Sequence, residues 1–159
     1  MWILIAILFL IAIGMILIAP SPRRHRADEW RSTPFAHRGL FGNGAAENTP
    51  EAFERACKAG SGIELDVQFS HDGVIVVFHD DDLKRMTGDP RRVDEVDFAE
   101  LESMALAGGS GHIPRFEDVL KLVDGRVPLL VELKTGRRNA ELCRQTHAML
   151  KGYRGRDLV

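Results

Sequence analysis

The chain has 159 residues, a formal net charge of −2 and 45% hydrophobic residues. This length accommodates one domain, and the balanced charge excludes the broad basic surface that nucleic-acid binding requires. The cysteines, Cys57 and Cys143, form no CxxC pair. They indicate buried thiols in a reducing compartment, although the sequence leaves a disulfide open.

The first predicted element is an apolar segment, residues 2–19, in which 18 consecutive residues carry no charge. As a helix it is about 27 Å long, close to the thickness of a bilayer core, so we predict one transmembrane helix. A secretory signal peptide is the alternative. Against it, no Lys or Arg precedes the apolar run, and Pro20 follows directly, which disfavours cleavage there.

A basic juxtamembrane linker, residues 20–33, follows the apolar segment. No basic side chain precedes the apolar segment, whereas the linker carries four arginines: Arg23, Arg24, Arg26 and Arg31. By the positive-inside rule, we expect a single-pass protein of the cell membrane with its catalytic domain, residues 34–159, in the cytoplasm.

Residues 33–39 predict a short strand with His37 and Arg38 at its polar end. The glycines that follow permit a close approach to a phosphate, but a plain surface loop explains them equally well. Thr49-Pro50 then predicts a helix start, because Thr is a good N-cap and Pro suits the first helical position. Gly60 predicts the end of this helix.

Residues 62–80 predict a β-hairpin. Strict alternation places Glu64 and Asp66 on one face of its first strand. Asp72-Gly73 is a strong hairpin signal, and a two-residue loop there puts His79 opposite Asp66. Two carboxylates inside an apolar strand are costly unless a divalent cation compensates them. The alternative is a solvent-facing strand side with a hydrogen-bonded histidine.

The second half of the chain continues the alternation of helices and strands. We predict a loop at 80–92, helices at 97–107, from Pro114 to Asp124 and at 139–152, a buried strand at 127–133 and the start of another strand at 157–159. Glu132 and Lys134 share one face at the end of the buried strand. Cys143 is predicted to face inward on the last helix.

This element order predicts an α/β fold with a parallel sheet and right-handed crossovers. The charged candidates lie at or near the carboxyl ends of the strands, which is where a (β/α)8 barrel places its active site. An open doubly wound sheet places its site there as well and is the structural alternative.

Seven short pieces together resemble the glycerophosphodiester phosphodiesterase family, one of the phospholipase C-like TIM-barrel phosphodiesterases. They span about residues 35–135 in the family's order: Ala36-His37-Arg38-Gly39, Glu47-Asn48-Thr49 with Ala52-Phe53, Glu64-Leu65-Asp66-Val67, Asp72-Gly73, Val77-Phe78-His79-Asp80, Ile113-Pro114 and Glu132-Leu133-Lys134. Ala46 departs from the family's usual Pro. The resemblance implies the first three βα units of a (β/α)8 barrel with an inserted hairpin, truncated at the C-terminus.

The resemblance implies that His37 and His79 are the catalytic pair, without telling which is the acid. Carboxylates suit hard cations, so Glu64, Asp66 and Glu132 are expected to hold one divalent metal, Mg²⁺ or Ca²⁺. Arg38 and Lys134 are expected to bind the substrate phosphate. Glu47, a loop carboxylate, is a further candidate for the site.

The implied activity is metal-dependent hydrolysis of glycerophosphodiesters to glycerol phosphate and an alcohol by histidine acid–base catalysis. One alternative is a lysophospholipase D-like activity on membrane lysophospholipids, which a membrane helix would favour. Another is a non-catalytic, membrane-tethered phosphate-binding fragment, although pure binding needs no acid–base pair. Because the barrel is incomplete, we expect the 159-residue fragment by itself to be inactive.

Overall fold

The structure is a computed structural model that describes residues 33–155 and 157–158, together with the single positions Trp2, Phe9, Ile11 and Gly14. The chain divides into two compact units, residues 1–33 and residues 34–159. The fold and the site described below belong to the second unit.

Among the described residues, no helix combines the length and apolar character needed to cross a bilayer. The predicted transmembrane helix, residues 2–19, and the predicted linker, residues 20–33, lie outside the described residues except at five single positions.

The first strand–helix–strand unit has the predicted order, with β1 at Phe35–His37, α1 at Pro50–Ala59 and β2 at Gly62–Phe69. The hydroxyl of Thr49 accepts a hydrogen bond from the backbone N–H of Ala52 and caps α1. Gly60 ends the helix with φ 68°, a left-handed conformation that suits glycine. The predicted start and end of this helix are therefore confirmed.

The hairpin exists, but its predicted register is wrong by one residue. β3, Ile75–Val77, pairs antiparallel with β2 so that Val67 lies opposite Val77. The backbone N–H of Ser70 donates to the carbonyl of Val74 at 3.0 Å, which leaves a three-residue loop. Gly73 adopts φ 83° in this loop, the left-handed conformation that three-residue hairpin loops require.

The corrected register changes the position of His79. The carbonyl of Asp66 accepts the backbone N–H of Phe78 at 3.0 Å, so the backbone position opposite Asp66 is that of Phe78 and not that of His79. His79 instead lies two residues beyond the end of β3.

The predicted loop at 80–92 contains a short helix, α2, at Lys84–Thr87. A 3₁₀ helix follows at Val93–Glu95, and α3 covers Phe98–Ser103, which is shorter than the predicted helix at 97–107. The charged composition of the predicted loop concealed Leu83 and Met86. These two residues pack in a second core with Val76, Phe78, Val93, Val96, Phe98, Leu101 and Ile113.

The remaining predicted elements are present. They are α4 at Phe116–Val123, β4 at Leu129–Leu133, α5 at Asn139–Lys151 and β5 at Asp157–Leu158. The expectation of two buried thiols is wrong, since Cys143 is exposed, Cys57 is only partly buried, and both are free. Helix α5 buries residues spaced by four, Leu142, Thr146 and Leu150, and Cys143 lies about 100° around the helix from Leu142.

The parallel strands lie side by side in the order β1, β2, β4 and β5, and β3 pairs with the distal end of β2. A doubly wound sheet reverses its strand order at a switch point, whereas successive strands of a (β/α)8 barrel remain neighbours. The described strands show no reversal. The predicted α/β class is therefore confirmed, and the described sheet has the order of a partial barrel.

The two faces of β2 have different surroundings. Ile63, Leu65 and Val67 pack in the main core with residues of α1, α4 and α5. Glu64 and Asp66 alternate with them and point to the opposite face. In the parallel register, His37 pairs with Glu64, and Asp66 pairs with Glu132. The register therefore gathers the polar residues on one face of the sheet.

Candidate active site

Three carboxylates converge on this face of the sheet. Glu64, Asp66 and Glu132 each offer an oxygen, and these oxygens all lie within 4.8 Å of one another. Strand alternation places the first two on one face, and the pairing of β2 with β4 brings Glu132 beside Asp66. Such a concentration of negative charge requires a cationic partner.

Asp66 is fully buried. Its Oδ2 accepts a hydrogen bond from Nδ2 of Asn48 at 2.8 Å. Nζ of Lys134 lies 2.8 Å from Oδ1 in an ion pair. A carboxylate oxygen with one such contact retains a lone pair, so a buried carboxylate beside two further carboxylates fits a hard cation such as Mg²⁺ or Ca²⁺.

Glu64 is 9% exposed. Burial raises the pKa of its carboxyl, the charges of Asp66 and Glu132 raise it further, and a hydrogen bond from the backbone N–H of Arg38 at 2.9 Å opposes them. On balance, the pKa of Glu64 is raised. Nε2 of His37 lies 4.0 Å from the same oxygen. A bound cation would stabilise the charged form that burial disfavours.

The loop after β1 holds two site residues in the left-handed conformation, Arg38 at φ 57° and Asn48 at φ 55°. Such non-glycine residues cost roughly 1–3 kcal/mol each and persist where the surrounding structure holds them. The backbone N–H of Asn48 donates to the carbonyl of Arg38 at 2.9 Å and fixes the two together. As a result, the backbone N–H of Arg38 donates to Glu64, and the side chain of Asn48 donates to Asp66.

Two cations flank the carboxylates. The guanidinium of Arg38 donates to Oε1 of Glu47 at 2.8 Å, and its buried Nε, 3.8 Å from Asp66, has no acceptor among the described residues. Lys134 donates to Glu132 at 2.6 Å. Burial lowers the pKa of Lys134, but its contacts with Asp66 and Glu132 outweigh burial and raise the pKa overall. The guanidinium of Arg38 and the ammonium of Lys134 can both bind an anionic ligand.

Nδ1 of His79 lies 2.6 Å from Oδ1 of Asp80. A hydrogen bond from Arg85 holds the pKa of Asp80 below its ordinary value, so this carboxylate only accepts, and Nδ1 of the histidine carries the proton. Nε2 is thereby left to exchange protons. Gln68 donates to the carbonyls of Phe78 and Asp80, both at 2.9 Å, and fixes the backbone on either side of His79.

Glu47 contacts two of the described arginines, Arg38 and Arg85. Burial raises the pKa of its carboxyl, but hydrogen bonds from Arg85 and Arg38 outweigh burial and lower the pKa overall. Because Arg85 also binds Asp80, which accepts from His79, His79 is connected to Glu47 through one hydrogen bond and two ion pairs. The structure therefore links all the predicted site residues: His37, Arg38, Glu47, Glu64, Asp66, His79, Glu132 and Lys134.

Four polar residues that hold this site together were not predicted as site residues from the sequence: Asn48, Gln68, Asp80 and Arg85. A signal existed for three of them. Asn48 and Asp80 belong to motif pieces, and Gln68 alternates with Asp66 on the same strand face. Arg85 carried no signal, because its role depends on where α2 packs.

Comparison with known proteins identifies related sequences and structures. The profile of the Glycerophosphoryl diester phosphodiesterase family matches residues 37–156. A glycerophosphodiester phosphodiesterase of Bacillus altitudinis is 40% identical over 107 residues, which cover 63% of this chain and 43% of that protein. A human protein named Lysophospholipase D GDPD3 is 36% identical over 140 residues, 80% of this chain and 43% of that protein.

Among solved structures, a phosphodiesterase of Oleispira antarctica in complex with the product sn-glycerol-3-phosphate is similar, with a TM-score of 0.70 and 29% identity over 80% of this chain and 55% of that chain. A glycerophosphodiester phosphodiesterase of Thermotoga maritima has a TM-score of 0.64 and 30% identity over 77% of this chain and 51% of that chain. The chain thus spans about half the length of these relatives or less. It belongs to the glycerophosphoryl diester phosphodiesterase family.

Proposed function

We propose that the full-length protein hydrolyses glycerophosphodiesters to glycerol phosphate and an alcohol. The observation that carries this proposal is the cluster of Glu64, Asp66 and Glu132, with oxygens within 4.8 Å of one another and the cations Arg38 and Lys134 beside them. A phosphodiester anion repels nucleophiles, and a site of this charge pattern can neutralise it. The named activities of the relatives support this substrate class.

The three carboxylates would hold one divalent cation, Mg²⁺ or Ca²⁺, which supplies Lewis-acid stabilisation of a phosphate oxygen when bound. Arg38 donates from its free Nε to the phosphate, and Lys134 adds positive charge at the other side of Asp66. These two side chains bind and orient the anion.

His37 and His79 form the proposed acid–base pair. Hydrolysis breaks the bond between phosphorus and the oxygen of the alcohol, so one proton must leave the attacking water and another must reach the departing alkoxide. Imidazole can carry out either transfer near neutral pH. Asp80 keeps Nδ1 of His79 protonated and leaves Nε2 for this exchange.

The test is release of the alcohol from glycerophosphocholine by the full-length protein with Mg²⁺ or Ca²⁺. We expect His37→Ala and His79→Ala each to lower kcat by ~10²–10⁴-fold, the usual contribution of acid–base groups. Metal affinity should remain, because neither histidine is among the proposed ligands. His147→Ala, an exposed histidine of α5, is the control. Substrate binding without turnover by the wild-type protein would instead support a phosphate-binding role.

Lysophospholipids are a second candidate substrate class, favoured by a largely apolar cavity of about 250 Å³ beside the site. Its walls come from the loop after β1, from α2 and from the segment after α3: Phe41, Ala45, Ala46, Glu47, Arg85, Met86, Ala107 and Gly108. An acyl chain would shield this apolar surface from water. A kcat/KM for lysophosphatidylcholine above that for glycerophosphocholine would assign this class, and the reverse order would exclude it as the preferred substrate.

We also propose that residues 2–19 anchor the protein in the cell membrane as one helix, with residues 34–159 in the cytoplasm. The support is the uncharged run of 18 residues and the arginines that follow it. A reporter fused after Arg31 should be active only inside the cell. Activity outside the cell, or cleavage after the apolar run, would contradict the proposal.

A further inference from the structure

Arg85 of α2 binds two carboxylates with one guanidinium. It donates to Asp80 from Nε at 2.6 Å and from Nη2 at 3.1 Å. It donates to Glu47 from Nη2 at 2.6 Å and from Nη1 at 3.1 Å. Each carboxylate is therefore held through both of its oxygens, which fixes its orientation as well as its distance.

Each of these carboxylates also holds a residue of the proposed site. Asp80 accepts from Nδ1 of His79 at 2.6 Å, and Glu47 accepts from Nη1 of Arg38 at 2.8 Å. His79 and Arg38 lie on separate segments, one after β3 and one after β1. Ala46 and Phe78 of these two segments share the second core, but the described ion pairs that connect the segments run through Arg85.

Arg91 provides a comparison within the same part of the chain. It also bridges two carboxylates, Asp89 and Glu100, and its side chain is 42% exposed, similar to 47% for Arg85. In the part of the chain that the structure describes, Asp89 and Glu100 have no hydrogen bond or ion pair with a residue of the site. Ion pairs of a partly exposed arginine contribute little to stability. Arg85 differs from Arg91 in what its partners hold, and also in that Glu47 is more buried than Glu100, with 12% against 52% of the side chain exposed.

We propose that Arg85 is a positioning residue that fixes the acid–base group His79 relative to the phosphate-binding Arg38, through Asp80 and Glu47. This inference rests on the proposed function, because it assigns no role outside that reaction. Arginine suits the task better than lysine. A planar guanidinium can engage two carboxylates at once through a rigid fork of donors, whereas an ammonium on a flexible stem acts as a point charge.

The proposal predicts how the effect divides between kcat and KM. Asp80→Asn should lower kcat, because a neutral amide holds the imidazole of His79 less firmly than a carboxylate does. Glu47→Gln should mainly raise KM, because a neutral amide likewise weakens the contact with the guanidinium that binds the phosphate. Arg85→Ala should do both, with kcat falling by about 10²-fold, as expected for a misplacement of about 1 Å. Combining Arg85→Ala with Asp80→Asn should add little to the loss in kcat.

The test measures turnover of glycerophosphocholine by the full-length protein with Mg²⁺, and the melting temperature of every variant. Arg91→Ala is the matched control and should keep both kinetic constants. Because Arg85 is half exposed, free guanidinium can reach the vacated position. Guanidinium at low millimolar concentration should restore part of the activity of Arg85→Ala, and NaCl at the same ionic strength should not. Arg85→Lys should fall between Arg85→Ala and the wild type.

Three results would overturn the proposal: a kcat for Arg85→Ala within about twofold of wild type, equal losses in Arg85→Ala and Arg91→Ala, or fully additive losses in the double variant, which independent sites would give. If Arg85→Ala fails to fold, the same criteria apply to Arg85→Lys. An inactive wild-type protein would instead refute the proposed function, so the two failures are distinct.

Discussion

Glu64 is a buried carboxyl group, and burial disfavours the charge that the proposed cation binding would require. It is 9% exposed, and burial with the neighbouring charges of Asp66 and Glu132 raises the pKa of its carboxyl above the ordinary value of 4.5. The folded protein therefore binds a proton here more readily than the unfolded chain does. It follows that the contribution of Glu64 to stability falls as pH rises from about 4.5 through the raised pKa.

We expect Glu64→Gln to melt at a higher temperature than wild type in metal-free buffer at pH 7, because the amide removes a buried charge and can still accept from Arg38. Added Mg²⁺ should stabilise the variant less than wild type, because an anionic ligand is lost. Thermal unfolding with and without Mg²⁺ measures both effects. Glu102→Gln, an exposed position of α3, is the control. A variant that melts lower than wild type without metal would contradict this account.

The orientation of single side chains could be predicted from the sequence where residue type and spacing lead to the same conclusion. Glu64 and Asp66 occupy alternate positions of one apolar strand, which permits only one shared face. The contribution of Arg85 could not be predicted, because its partners, Glu47 and Asp80, both lie outside α2. Glu47 is 38 positions away from it.

Among the elements, the loop after β1 depends on a close approach to α1. Gly39 has φ 79°, and a Cβ there would lie 2.9 Å from Cβ of Ala52 and 3.0 Å from its backbone carbonyl carbon. Since backbone cannot move aside cheaply, the loop and the helix must separate. That separation would displace Arg38, whose N–H binds Glu64.

We predict that Gly39→Ala lowers the free energy of unfolding by about 1–3 kcal/mol more than Gly88→Ala does, which is the usual cost of overpacking. Gly88 is a matched control, because it has a similar φ of 83° but no atom within 4 Å of a Cβ. Urea unfolding of both variants provides the comparison. Equal losses would mean that backbone conformation, and not the contact with α1, determines the requirement for glycine.

Element prediction succeeded where local chemistry decides the structure, and failed where several local solutions compete. The ends of α1 follow from Thr49 and Gly60. Asp72-Gly73 is compatible with either a two- or a three-residue loop. The longer loop forms because the hydroxyl of Ser70 donates to Asp72 at 2.6 Å and accepts from the N–H of Val74 at 3.0 Å. Side-chain contacts of this kind are not encoded in hairpin signals.

For the molecule as a whole, the strand order is what gives the site its composition. Strands β1, β2 and β4 are neighbours in the sheet, and each of them supplies residues of the candidate site. The sequence alone was compatible with a barrel and with a doubly wound sheet, because both place polar residues at strand ends. The unreversed order distinguishes them, and it agrees with the similarity to solved family structures.

The central claim is that Glu64, Asp66 and Glu132 form a divalent-cation site that serves phosphodiester hydrolysis. The most direct measurement is the rate of choline release from glycerophosphocholine by the full-length protein, first with EDTA and then with Mg²⁺ or Ca²⁺ added back. We predict loss of activity with the chelator, recovery with metal, and a higher metal requirement for Asp66→Asn than for wild type. Activity that persists unchanged in EDTA would contradict the claim.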